Sequence, residues 1–199
     1  MLMGRSSPEQ SKTMQILTER HARFTHYICD FAERASVDRA TNEILNSKSI
    51  PAAVIHNAGT IDRALLVETT DEMWDQQLEV NLSSPFRITR ALLPRMLFRK
   101  SGRIVFVSSI SAVLGSREQA PYHAAKAGML GAMRCLAEEL TNTGVTTMAL
   151  LPGSVETRML RGSGFPPRMQ PEDVAKTLAF YALDAPSGHN GASVEMFGV

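Results

Sequence analysis

The sequence predicts an α/β fold built on a parallel sheet. Short β-branched runs alternate with longer amphipathic segments, which is the pattern of repeated strand–helix–strand units. Polar residues and glycines collect at the ends of those runs, where an open parallel sheet binds its ligands. The chain has 199 residues, 44% hydrophobic and 21% charged, which suits one domain with a sizeable core.

The elements follow in order. Met1-Leu2-Met3 is a stub of strand closed by Gly4. Residues 8–21 read as a helix, and Phe24 to Phe31 as a strand with Tyr and Ile inside. Ser36 to Asn46 reads as a helix, and Ala52 to Ile55 as a short apolar strand running into His56-Asn57-Ala58-Gly59. A long helix is expected over Thr70 to Arg99, open to interruption near Pro85 and Pro94, because proline lacks an N–H and clashes with the preceding turn. Gly102 to Ser109 is the clearest strand. Gln119 to Asn142 reads as a helix stopped by Gly144, and Val145 to Leu151 as a strand ended by Pro152-Gly153. Pro171 opens a helix to Leu183, and Ala192 to Phe197 is a last strand. Residues 161–171, rich in Gly and Pro, read as a mobile loop.

Tyr122 and Lys126 lie four residues apart near the start of a helix, so both occupy one face, about one turn apart. A nearby ammonium favours a phenolate, so Lys126 is expected to pull the Tyr122 pKa down and make it a proton donor or acceptor. Such a pair is common on solvated helices. Its weight comes from the neighbouring strand ends, His56 to Gly59, Ser108-Ser109 and Pro152-Gly153, which would share one cleft with it.

A net charge of +1 gives no argument for a nucleic-acid or anionic-membrane partner. Arg87, Arg90, Arg95, Arg99, Lys100 and Arg103 read as a solvated helix face and its exit. Neither Cys29 nor Cys135 has metal-type spacing, and Cys135, in an apolar helical run, is expected in the core. The five histidines, His21, His26, His56, His123 and His189, show no ligand spacing, so no metal is expected. His123 is rotated off the Tyr122–Lys126 face and reads as structural. No apolar stretch approaches the ~20 residues needed to span a bilayer. The first 30 residues lack an apolar core flanked by charge, so no signal peptide is expected and the location expected is cytoplasmic.

Gly102-Arg-Ile-Val-Phe-Val-Ser-Ser109, then Tyr122-x-x-x-Lys126, resembles the short-chain dehydrogenase/reductase family of classical type, with the flavour of 3-oxoacyl carrier-protein reductases. Asn57-Ala58-Gly59, Val80-Asn81-Leu82 and Pro152-Gly153-Ser154-Val155-Glu156-Thr157 extend the resemblance in family order and spacing. It implies a Rossmann-like doubly wound parallel sheet in three α/β/α layers, residues 1–199 forming a single domain. It also implies NADP(H)-dependent reduction of a ketone or 3-oxoacyl group to an alcohol, with NAD possible as cofactor. Tyr122 matches the general acid and Ser109 the hydroxyl on the substrate carbonyl. Lys126 matches the lysine that holds the nicotinamide ribose, and Asn81 the anchor of its water relay. Asn57, Ala58, Gly59, Pro152, Gly153, Val155 and Thr157 match cofactor-binding positions, Thr157 the one at the nicotinamide amide. Asp30 matches the aspartate beside the adenine. Arg5 sits where a basic residue accommodates the 2′-phosphate of NADP, and reads equally well as a surface arginine in a turn. Without the other motifs, Asn81 would read as a helix-interior amide bonded to its own backbone. Ser108 should point to the other face of its strand from Ser109.

The sequence departs from the family pattern in three places. The glycine-rich Thr-Gly-x-x-x-Gly-x-Gly unit, with its strand and helix, is not found, so the fold is expected to be incomplete at the N-terminus. That strand is central, so its neighbours must close up, detach or be joined by another chain. His56 stands where the family carries asparagine. The segment after Thr157 is short, which implies an open substrate mouth or a substrate carried by a protein. The substrate class expected is a small ketone or alcohol, or an acyl-carrier-bound group, in a homodimer or homotetramer. The alternative is a catalytically silent relative that acts as a binding or assembly partner.

Overall fold

The computed structural model describes residues 1–7, 11–47 and 49–198. Its elements are β1 (Leu2–Gly4), α1 (Lys12–Glu19), β2 (His26–Ile28), α2 (Arg34–Asn46), β3 (Ala53–His56), α3 (Asp71–Leu78) and α4 (Ser84–Arg99), followed by β4 (Gly102–Val107), α5 (Ala120–Glu139), β5 (Val145–Pro152), α6 (Pro171–Leu183) and β6 (Ser193–Met196). The first turn of the helix expected over 8–21 lies outside the described residues.

Strands β3-β4-β5-β6 pair in that order, all parallel. The central pair, β4 and β5, is buried on both faces, which is why both read as continuous apolar runs. Ile104 and Phe106 of β4 pack with Met96 of α4 and Met129, Leu130 and Met133 of α5. Val105, on the opposite face, packs with Met148, Leu150 and Ala182 of α6. The period of two in the strand sends alternate residues to the two helix layers. On α5 the buried residues after Pro121 are Tyr122, Ala125, Lys126, Met129, Leu130, Met133 and Ala137, a stripe of helical period. Cys135 falls between two members of that stripe and is exposed, contrary to the expectation of a core thiol. Cys29 is the buried one, and burial, then Asp30, pushes its thiol up to about 11, so it stays protonated.

The helix expected over 70–99 is three pieces. Thr70 caps α3, its hydroxyl accepting from the Met73 N–H at 3.2 Å. A wide π turn then covers Glu79–Ser83, the Ser84 N–H reaching back to the Glu79 carbonyl. Pro85 explains it: the ring would clash with the Asn81 carbonyl in a regular helix, so the backbone widens. Pro94 sits inside α4 without ending it. The basic run is not simply solvated. Arg87 pairs with Glu79, and Arg99 caps the carbonyls of Ile50, Pro51 and Ser101.

Strands β1 and β2 form a separate parallel pair. The Leu2 N–H and Gly4 carbonyl bond toward β2, so Met3 turns its backbone groups the other way. The Ala52 carbonyl accepts from Arg103, so Ala53 and Ile55 likewise present theirs away from β4. Among the described residues no strand pairs with either edge. Between them lies a cavity of about 570 Å³, lined by Leu2 to Ser6 on one side and Ala53 to Ala58 on the other. Strands β1 and β2 pair with each other and not with β3, and they share an apolar core with Ile88 and Leu92 of α4.

Residues 161–171 are less free than their composition suggests. Val155 and Met169 form a parallel bridge, and the Glu156 N–H donates to the Met169 carbonyl at 2.9 Å. Gly144 closes the turn into β5 at φ +81°, and a Cβ there would stand 2.1 Å from the Lys100 carbonyl oxygen. Gly144→Ala is expected to lower the unfolding free energy by about 2 kcal/mol or more, read as a lower urea midpoint at unchanged slope.

Candidate active site

Strand β4 ends in two serines whose side chains diverge. The Ser108 hydroxyl donates to the Lys126 carbonyl at 3.0 Å, tying β4 to α5. Ser109 takes extended backbone angles and its hydroxyl accepts from the Ser111 N–H at 3.1 Å. The neighbours divide as strand alternation requires, Ser108 into the scaffold and Ser109 into the site.

Tyr122 lies in the first turn of α5, and Lys126 one turn on, 3% exposed. The Lys126 Nζ donates to the Val107 carbonyl at 2.9 Å and stands 5.6 Å from the Tyr122 ring centroid. Burial lowers its pKa to about 8, because an ammonium loses its hydration there. The expected lowering of the Tyr122 pKa is not found. Burial is the largest effect and raises it, while the Ser109 hydrogen bond and the charge of Arg63 pull it back. The sequence shows spacing but not desolvation, and so it gave the wrong sign.

Asn81 arrives on the π turn, fully buried. Its Nδ2 donates to the carbonyls of Thr60 and Gln77, both at 2.9 Å, and its Oδ1 accepts from the Thr60 N–H at 3.1 Å. It therefore bonds backward within its helix and also clamps the loop after β3. Gly59 gives these groups room: a Cβ would press on Asn81 Oδ1 at 3.1 Å and stand in ordinary contact with Lys126 Nζ at 3.8 Å. That close approach brings Asn81, Gly59 and Lys126 together.

The remaining candidates lie in two groups. Gly153 donates to the Met196 carbonyl at 2.8 Å, Val155 pairs with Met169, and Thr157 is exposed with its hydroxyl on the Val155 carbonyl at 3.3 Å. The Pro152 carbonyl accepts a long bond from Ser109, at 3.5 Å. Across the sheet, Arg5, Asn57 and Ala58 line the cavity between β1 and β3. Arg5 faces Asp30 at 3.9 Å, and the Asp30 carboxylate accepts from the Ala32 N–H at 3.0 Å.

His56 turns into the core. Its Nε2 lies 2.8 Å from the Thr89 hydroxyl and its ring stacks on Phe106. His123 bonds Ser116 at 2.7 Å, away from the catalytic face. Among the described residues no three His, Cys, Asp or Glu side chains are grouped to hold a metal, and no helix is long and apolar enough to cross a membrane. Sequence reading missed Arg63, which donates to the Met159 carbonyl at 2.9 Å, and the clamps Thr60 and Gln77. None of the three belongs to a motif; only the loop path brings them in.

A family model described as short chain dehydrogenase matches residues 1–164. The chain belongs to the short-chain dehydrogenase family. It is 35% identical over 162 residues to the 3-oxoacyl-[acyl-carrier-protein] reductase of Synechocystis, covering 77% of this chain and 66% of that one. It is 30% identical over 176 residues to the reductase FabG of Escherichia coli, covering 82% and 72%. The gluconate 5-dehydrogenase of Burkholderia cenocepacia, solved with NADP and tartrate, shares the fold: TM-score 0.88 at 22% identity, covering 99% of this chain and 83% of that one. The chain spans between about half and two thirds of the length of the first curated relatives, 52%, 66% and 64%.

His56 generates a pH prediction. Burial depresses its pKa from the ordinary 6.5 to about 3. Between those values the unfolded chain binds a proton that the folded chain does not, so stability falls as pH drops from about 6.5 toward 3. Urea midpoints at pH 7 and pH 4.5 should differ more for the wild type than for His56→Asn. Equal differences would contradict it.

Proposed function

We propose that this chain is an oxidoreductase domain that reduces a ketone or 3-oxoacyl group to an alcohol with NADP(H). The observation that carries this reading is the buried Lys126 ammonium 5.6 Å from the Tyr122 ring on α5, tied by the Val107 carbonyl to the strand that ends in Ser109. When bound, the nicotinamide supplies the hydride. As negative charge develops on the substrate oxygen, the Ser109 and Tyr122 hydroxyls stabilise it as donors. Tyr122 then gives up its proton. Lys126, held by the Val107 carbonyl, would hold the nicotinamide ribose, and Asn81 would anchor the relay that returns a proton to the site. Relatives named 3-oxoacyl-[acyl-carrier-protein] reductases support the oxoacyl class, and the short segment after Thr157 supports an open mouth that a carrier-bound group can enter.

The residues present fit the cofactor at both ends. Lys126, Gly59, Gly153, Val155 and Thr157 would hold the nicotinamide side, with Ala58 and Pro152 in the wall. Arg5, Asp30 and Asn57 would hold the adenosine side, Arg5 meeting the 2′-phosphate and favouring NADP over NAD. Between these ends lies the cavity of about 570 Å³. The facing edges of β1 and β3 suit one further parallel strand there, and residues 1–199 form a single Rossmann-like domain. Exposed aromatic residues on α4, Phe86 at 52% and Phe98 at 88%, suit burial in a homodimer or homotetramer. The expected location is the cytoplasm.

One observation favours a second reading. The unfilled edges leave the middle of a dinucleotide without backbone donors, which suits a silent binding or assembly partner. NADPH titration of the 199-residue chain, followed by nicotinamide fluorescence, separates the two. Saturable binding, with NADPH oxidation on adding an acetoacetyl thioester, is the expected result. Tyr122→Phe should slow that oxidation by about 100-fold or more. No binding at millimolar cofactor would sink catalysis by this chain and leave the silent reading.

A further inference from the structure

Gln77 belongs to no motif, yet it is fully buried on α3, one turn before Asn81. Its Nε2 donates twice, to the Met73 carbonyl of its own helix and to the Asp62 carbonyl of the loop after β3, both at 3.3 Å. Two carbonyl acceptors decide which end of the amide faces them. The Oε1 is therefore turned elsewhere; it is buried and meets no donor among the described residues. An apolar side chain of the same size would fill this position without an unmet buried acceptor. Packing alone does not ask for a glutamine here.

What the amide secures is the loop. Gln77 holds Asp62, and Asn81, one turn on, holds Thr60 through both of its amide atoms. The Asn81 Nδ2 also donates to the Gln77 carbonyl at 2.9 Å, which joins the two clamps. Just before the clamped stretch stands Gly59, whose absent Cβ would lie 3.8 Å from Lys126 Nζ. The loop is thus part of the wall that keeps water from the ammonium. Lys126 forms no ion pair among the described residues. It donates to the Val107 carbonyl and faces the Tyr122 ring at 5.6 Å. The charged side chains of the loop are Asp62 and Arg63, and Arg63 is turned to the Met159 carbonyl at 2.9 Å. Exclusion of water, rather than a counter-charge, sets the environment of Nζ.

We propose that Gln77 is a positioning residue that holds the loop after β3 closed over the Lys126 ammonium. It acts through Asp62, Thr60 and Gly59 and touches no reacting atom. Without its amide the Asp62 carbonyl loses its side-chain donor, Gly59 draws back, and water reaches Nζ. Burial holds the Lys126 pKa at about 8, so a wetter Nζ titrates higher. The bearing on catalysis rests on the reading of Lys126 given above. The positioning does not, and it can be measured without cofactor or substrate.

Gln77→Met keeps the side-chain volume and removes both hydrogen bonds. With lysine labelled at Cε and the Lys126 resonance assigned by Lys126→Arg, Gln77→Met should raise the Lys126 midpoint by about half to one pH unit. Gln76→Met, on the exposed face beside it, should leave that midpoint within about 0.2 of wild type. Gln77→Leu makes the same deletion in a second shape, so one folded variant of the two suffices, and an unchanged urea slope reports the fold. In the wild type, the Thr60 N–H bonded to Asn81 Oδ1 should exchange at least about 100-fold more slowly than in an unstructured chain. In Gln77→Met it should exchange about tenfold faster than in wild type. A Lys126 midpoint unmoved in a folded variant would overturn the proposal, as would a wild-type Thr60 amide that exchanges at the unstructured rate. If the wild-type chain fails to oxidise NADPH but the midpoint shifts, the functional reading falls and the positioning stands.

Discussion

The buried ammonium of Lys126 is the constraint around which the rest of the site is arranged. Removing an ammonium from water is expensive unless an oxygen receives it. Here the receiver is the last carbonyl of β4, at 2.9 Å. That one contact ties the end of a central strand to the first turns of α5, which carry Tyr122. Neighbouring elements then have to leave room for it. Gly59 lacks a side chain beside Nζ, and Asn81 arrives on a widened turn rather than a regular helical one. The apolar stripe of α5 below, Met129, Leu130 and Met133, keeps the helix seated on the sheet. Burial of each such side chain contributes about 1.5–3 kcal/mol, enough to carry one desolvated charge.

The split in the sheet divides the molecule into a four-stranded part and a two-stranded part. Strands β3 to β6 with α4, α5 and α6 share continuous cores on both faces. Strands β1 and β2 with α2 join them through Ile88 and Leu92 of α4 rather than through backbone hydrogen bonds. Every proton-transfer candidate lies with the four-stranded part. Arg5 and Asp30 lie in the other, and Asn57 and Ala58 sit at the seam. The arrangement of Ser109, Tyr122 and Lys126 is therefore set without the first two strands.

Much of this was legible in the residues. The continuous apolar runs of β4 and β5 announced strands buried on both faces, and the four-residue spacing of Tyr122 and Lys126 announced a shared helix face. The separation of Ser108 from Ser109 followed from strand alternation. What failed to show was whatever depends on environment rather than spacing. Cys135 looked like a core residue because its neighbours are apolar, but its angular position on α5 is outside the buried stripe. The π turn at Glu79–Ser83 was readable only as a proline disturbance. The sign of the Tyr122 shift depended on burial that a helical wheel does not contain, and Arg63 depended on the path of a loop.

The most direct measurement is the ionisation of Lys126 itself. With lysine labelled at Cε, the five lysines give five carbon resonances, and Lys126→Arg assigns one of them. A desolvated ammonium held by the Val107 carbonyl should titrate at about 8, against 10.5 for an ordinary lysine. All five resonances titrating together near 10.5 would mean that Lys126 is solvated, and the arrangement built around it would be wrong.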